Sequence, residues 1–397
     1  MSWLSRRVAG FPTTVFSEFS ALATRHKAVN LGQGFPDFDG PDEIKEAACR
    51  AIRGGVNQYA VGAGAQALRG AIAQHARRFY GQEVDPDTMV TVTSGATEAL
   101  FDAVMGLVDP GDEVIVFEPF YDSYVASIEM AGGVARFVLL RPPDATHRAW
   151  WFDAAELEAA FGAKTKLVVV NTPHNPTGKV YTRGELELIG RLCERHGTAV
   201  LADEVYEHIV FSPARHLRVA TLPGMAERTL TVSSAGKSFS FTGWKIGWAI
   251  GLPALRQAVQ QTHQFVTFAS AAPLQAAVSE ALALPDAYFT KLSASYRAKR
   301  DRLVAALSAA GLTPMAPEGS YFVMADTSRY AFEDDFACCR FLTREAGVAA
   351  IPPSAFYGEA HRREARHLAR FAFCKTDALL DEAATRLARL PELASRR

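Results

Sequence analysis

Five apolar runs in this chain end in groups that can do chemistry. TLTVS runs into SAGKSFSFTGWKIGW, which places Lys237 just past a buried strand among Ser, Ala and Gly. An amine in that position is partly desolvated, so its neutral form becomes accessible, the property that Schiff-base lysines need. Ser234 and Lys245 flank it with a hydroxyl and a second cation, both suited to phosphate. MVTVT ends in SGATEAL, where the backbone N–H groups of Gly95, Ala96 and Thr97 at a helix start would hold a phosphate. AVLAD ends in EVYEHI; Asp203 there is costly to bury unless it meets a cation such as a protonated ring nitrogen. KLVVV ends in NTPHNPTGKV, whose prolines fix a loop that projects Asn175 as a neutral donor. EVIVF runs into EPFYDSY, with Tyr121 or Phe120 placed to stack on a planar ring.

Each segment alone has an ordinary reading. Strand–Gly–helix junctions are common, strand-end aromatics pack in cores, Asn175 suits an Asx-type turn and Asp203 a helix cap or ion pair. A lone lysine is usually solvated. His174 has no partner His or Cys at metal-ligand spacing, so it reads as structural and no metal is expected. What the five segments share is position. In open parallel sheets, ligands bind in the crevice beyond the carboxyl ends of the strands. Phosphate donors, stacking aromatic, ring acid, oxygen donor and amine therefore converge on one sheet edge.

The elements that must position them are legible as a pattern. From Thr88 to Gly251, short Val- and Ile-rich runs alternate with amphipathic stretches such as TRGELELIGRLCERHG, as parallel strands covered by helices do. The expected fold is α/β, a three-layer sandwich around a mostly parallel sheet, with a smaller C-terminal α/β unit. Residues 1–40 form an arm containing NLGQGFPDFDGP, too rich in Gly, Pro and Asp for regular structure, that packs with the smaller unit. Residues 41–285 form the large domain, with helix starting near Pro41, and 286–397 the small one. There GSYFVMAD and ARFAFCK read as strands with DFACCRFLTREAG as a helix between them.

Composition bounds the function. The 397 residues carry a net charge of −1, which draws the chain to neither nucleic acid nor anionic lipid. No apolar run nears the ~20 residues of a membrane helix, and the N-terminus lacks the apolar core of a signal peptide. Five scattered cysteines without CxxC spacing fit a reducing cytoplasm.

NTPHNPTGKV, ADEVYEH and SSAGKSFSFTGWKIGW, in this order, resemble the fold-type-I, class I aminotransferases that use pyridoxal 5′-phosphate. The resemblance runs from TTVFSEFSALA to ARFAFCK. LGQGFPDF and NQYAVGAGAQALRGAIA are similar to the subgroup of kynurenine/glutamine aminotransferases and bacterial methionine aminotransferases. It implies Lys237 as Schiff-base lysine and proton shuttle, and Asp203 as partner of the ring nitrogen. Asn175 and Tyr206 would bond the ring's phenolic oxygen, and Tyr121 would stack on the ring. Gly95, Ala96, Thr97, Ser234 and Lys245 would hold the phosphate, joined by Tyr59 of a neighbouring subunit. Arg370 in ARFAFCK would grip the substrate carboxylate in a bidentate fork, with Gly34 where the backbone approaches that carboxylate.

For the side chain, Phe16 matches a position lying over the substrate, and THQFVTFAS brings Phe265 and Phe268 from the partner but no arginine. Such a pocket favours uncharged, large amino acids: Met, aromatics, Gln or Leu, with broad specificity. The implied enzyme is a ping-pong aminotransferase and a homodimer with shared sites. A carbon–sulfur β-lyase or a kynurenine aminotransferase is the alternative, sharing fold, cofactor and lysine. A DNA-binding regulator built on the same fold does not suit the short N-terminal segment and near-zero charge.

Overall fold

The structure, a computed structural model, describes residues 3–11 and 13–396. After β1 (Val29–Asn30), seven strands form the central sheet: β2 (Val90–Thr93), β3 (Glu113–Glu118), β4 (Val134–Leu139), β5 (Thr165–Asn171), β6 (Ala199–Asp203), β7 (Thr229–Ser234) and β8 (Gly247–Ile250). Their order is β2-β8-β7-β6-β5-β3-β4. β4, β3, β5, β6 and β7 run parallel, while β8 is antiparallel to both neighbours. The central strands are buried on both faces, which explains why their sequences are continuous Val, Ile and Leu runs. Helices cover them; Thr182 and Glu185 cap one reciprocally, each side chain accepting the other's backbone N–H, at Arg183–His196.

Three further strands, β9 (Thr313–Met315), β10 (Phe322–Asp326) and β12 (Leu368–Ala372), form an antiparallel sheet in the order β12-β10-β9. The N-terminal segment lies on this unit: β1 pairs in parallel with β11 (Val348–Ala349), and Phe19 shares a buried cluster with Leu342 and Phe371. Two expectations need correction. The arm is not irregular throughout, because Thr14 caps a helix over Val15–His26. The WAIGL run, expected parallel, is the reversed strand β8; a run apolar on both faces carries no information about direction.

Behind the sheet's carboxyl edge lies a buried ionic group. Arg218 pairs through Nε with Glu204 Oε2 at 2.8 Å and through Nη2 with Glu207 Oε2, and its guanidinium lies 4.0 Å from the Tyr80 ring centroid. His216 Nε2 is 2.8 Å from Glu204 Oε2, and Ser233 donates to Glu207. Such a set fixes the loop after β6 that carries Tyr206. Removing one member strands the others. Arg218→Leu is therefore expected to cost about 3–5 kcal/mol of apoprotein stability, measured as the shift in denaturant midpoint. A loss under ~1 kcal/mol would show that the two glutamates are satisfied without it.

Candidate active site

The carboxyl ends of β5, β6 and β7 open into a cavity of about 260 Å³. Lys237 leaves β7 through a single turn, Ala235–Ser238, and its Nζ donates to Tyr321 Oη at 2.9 Å. Tyr321 Oη in turn donates to the Gly34 carbonyl at 2.5 Å. The ammonium also faces the rings of Tyr206 and Tyr321 at 5.7 and 5.5 Å. Burial lowers the Lys237 pKa, against the opposing pull of Cys374 and Asp203. An amine biased toward its neutral form is a competent nucleophile and base.

Asp203 ends β6 with 4% of its surface exposed. Burial pushes its carboxyl up to about 6, although Tyr124 Oη donates to Oδ2 at 2.5 Å and the Val205 N–H to Oδ1 at 3.3 Å. Neutral donors do not cancel the charge, and the pull of Lys237 offsets the burial only in part. Asn171, closing β5, donates to the Asp203 carbonyl at 2.9 Å and accepts the Asn175 N–H at 2.7 Å, joining the two loops.

Arg370, on β12 and 1% exposed, donates from Nη1 to Asn175 Oδ1 at 3.2 Å and from Nη2 to the Gly32 carbonyl at 2.8 Å. Its guanidinium carbon lies 4.4 Å from the Phe322 ring centroid and 5.1 Å from those of Phe16 and Phe356. Burial brings its pKa down to about 10, so it stays charged at neutral pH. Because Asn175 commits its oxygen to Arg370, its NH₂ is left to donate into the cavity.

At the opposite end Gly95, with φ +80°, turns the chain into the helix Ala96–Leu107. A Cβ there would sit 3.2 Å from Lys245 Nζ, which places the second cation beside the turn; the Gly95 N–H, expected to serve a phosphate, is instead taken by the Thr93 carbonyl at 2.8 Å. Gly247 on β8 has no room for a side chain either, since its Cβ would lie 2.5 Å from Ala96 N. Thr97, Tyr121 and Ser234 line the same end.

Lys237, Asp203, Tyr206, Asn175, Tyr121, Gly95, Ala96, Thr97, Ser234, Lys245, Gly34, Phe16 and Arg370 thus line one cavity. Gly34 is needed for a packing reason as well, because a Cβ would fall 2.6 Å from Phe322 Cζ. Tyr59 and Phe268 do not line it. They meet edge-to-face at 5.2 Å on the surface, 83% and 54% exposed. Tyr124, Asn171 and Tyr321 went unread in the sequence, although the first two stand in the strand-end segments EPFYDSY and NTPHNP.

A mostly parallel sheet with a lysine, an aspartate and a glycine turn at its carboxyl edge defines the fold-type-I aminotransferase architecture. The chain belongs to the class I and II aminotransferases, a pyridoxal-phosphate-dependent family whose model matches residues 26–387. It is 48% identical over 392 residues to a probable N-succinyldiaminopimelate aminotransferase of Mycobacterium tuberculosis, covering 97% of this chain and 98% of the relative. It is 42% identical over 417 residues to a kynurenine–oxoglutarate transaminase of Dictyostelium discoideum, covering 97% and 96%. A solved Escherichia coli structure with a methionine aminotransferase function superposes with TM-score 0.93 at 40% identity, covering 98% of this chain and all of that one.

The residues fit the family's cofactor: a cation-seeking acid, a reachable amine and a phosphate cradle stand in one cavity. Without a cation opposite it, Asp203 holds its proton up to pH of about 6, and the folded state loses stability as pH rises through that value. The rise in melting temperature caused by pyridoxal phosphate should therefore grow from pH 5 to pH 8 in the wild type. In Asp203→Asn that growth should vanish; its persistence would show that another group faces the ring.

Proposed function

We propose that the protein moves the amino group of a large, uncharged amino acid (Met, an aromatic residue, Gln or Leu) to a 2-oxo acid. It does so by ping-pong turnover with pyridoxal phosphate carried on Lys237. The observation behind the reading is the pairing of Arg370 with Asn175 across the cavity from Lys237, beside the aromatic wall of Phe16. Bound pyridoxal phosphate supplies an electron sink for the charge left when the substrate Cα–H bond breaks.

The chain's own groups do the rest. Arg370 takes the α-carboxylate in a bidentate fork, and its packing against three aromatic rings fixes the plane of that fork. Lys237 Nζ takes the proton from the substrate Cα, held in reach by Tyr321. Asp203 would pair with the ring nitrogen of the bound cofactor and keep a proton there. Asn175 and Tyr206 would donate to the phenolic oxygen, and Lys245, Ser234 and the amides at the helix start would neutralise the phosphate.

Among the described lining residues, Lys237, Lys245 and Arg370 are the only cations, and each has one of these tasks. None is left for a distal carboxylate, which supports the uncharged side chain. The exposed Tyr59, Phe265 and Phe268 support a homodimer in which these rings complete the partner's pocket. A second reading, an N-succinylated diamino acid, rests on the 48% identity to the mycobacterial enzyme and requires cations from that partner.

Turnover with methionine, phenylalanine, kynurenine, glutamine, aspartate and N-succinyldiaminopimelate separates these readings. The first four should exceed aspartate in kcat/KM; a preference for the succinylated substrate would replace the first reading with the second. Arg370→Ala should lower kcat/KM at least ~100-fold through loss of two charged hydrogen bonds, mostly as a higher KM. An unchanged KM would remove Arg370 from the carboxylate.

A further inference from the structure

The helix Ala96–Leu107 carries Glu98 and Asp102 one turn apart, so both carboxylates share a face. That face is pressed against the helix Pro253–Val266, and the approach is so close that a Cβ on Gly106 would fall 2.5 Å from the Ala258 carbonyl oxygen. His263 thereby meets both acids, its Nδ1 2.9 Å from Glu98 Oε1 and 4.0 Å from Asp102 Oδ2. The side chains of His263 and Asp102 are 0% exposed and that of Glu98 8%. Neither carboxylate oxygen of Asp102 has a hydrogen-bond partner among the described residues, and neither has His263 Nε2. Two acids on one buried face repel each other and cost desolvation unless a cation joins them.

We propose that Glu98, Asp102 and His263 form a binding site for a divalent metal ion of the zinc class, distinct from the cofactor cavity. One imidazole and two carboxylates are a donor set that such ions take. Ligand bonds of about 2.0–2.2 Å put two donors of one tetrahedral ion about 3.3–3.6 Å apart. The candidate ligand atoms lie within 4.8 Å of one another, and Asp102, which no hydrogen bond holds, closes the remainder by a small rotation. The second oxygen of Glu98 accepts the Ser94 N–H, orienting the ligand from behind. The ion would thus brace the turn that begins at Ser94 and Gly95. The rival occupant is a proton, since burial and Glu98 push the Asp102 carboxyl up to about 8. The other His–acid cluster, His75, Glu207 and His208, is a weaker candidate because Glu207 is already committed to Arg218 and Ser233. No spacing motif announced the site, as His263 stands 165 positions from Glu98.

The test is elemental analysis of purified holoenzyme loaded with Zn²⁺ and dialysed into metal-free buffer, beside Asp102→Asn and His263→Gln. Wild type should keep about one equivalent per chain, the variants under ~0.1, and Zn²⁺ should raise the melting temperature of wild type alone. Retention no greater in wild type than in Asp102→Asn, without a thermal shift, overturns the site and leaves Asp102 with a proton. Asn keeps the shape of Asp102, so the comparison stands even where His263→Gln does not fold.

Discussion

The site is organised around a buried carboxylate whose burial its neighbours offset only in part. Asp203 closes a strand covered on both faces, and its hydrogen bonds come from the neutral Tyr124 and Val205. Lys237, which lines the same cavity, is itself biased toward neutrality by burial. A bound cofactor with a cationic ring would meet both demands, giving the acid a counter-charge and the amine a partner. Loops after β5, β6 and β7 are then held to that arrangement, by Asn171 on one side and by the Arg218–Glu204–Glu207 group behind.

The second constraint is that the buried guanidinium of the cavity belongs to the other sheet. Arg370 stands on β12, yet its hydrogen bonds reach Gly32 in the N-terminal segment and Asn175 in the loop after β5. The guanidinium is a joint between three parts of the chain as well as the carboxylate receptor we propose. Tyr321 plays the corresponding part for the amine, tying Lys237 to Gly34. Changes in either residue therefore reach both binding and the relative placement of the units.

Much of this was legible in the sequence because strand ends in parallel sheets are local features: an apolar run followed by Asp, Asn, Lys or Gly marks its own position. The groups that went unread act across distance. Tyr321 lies 84 positions from Lys237, and Tyr124 lies 79 from Asp203, so no local spacing ties them to their partners. β4 is half exposed along its first residues, which broke the apolar run that revealed its neighbours. The helix Val15–His26 was hidden by the Gly- and Pro-rich segment that follows it. The direction of β8 depends on its pairing with β2 and β7, a tertiary fact.

The central claim is that Lys237 holds a group that accepts the substrate's amine. Its most direct measurement is the absorbance of purified holoenzyme titrated with methionine in the absence of any 2-oxo acid. The visible band of the lysine-bound cofactor should give way to a near-ultraviolet band and return when a 2-oxo acid is added. A visible band that no amino acid moves, or none after reconstitution with pyridoxal phosphate, would contradict it.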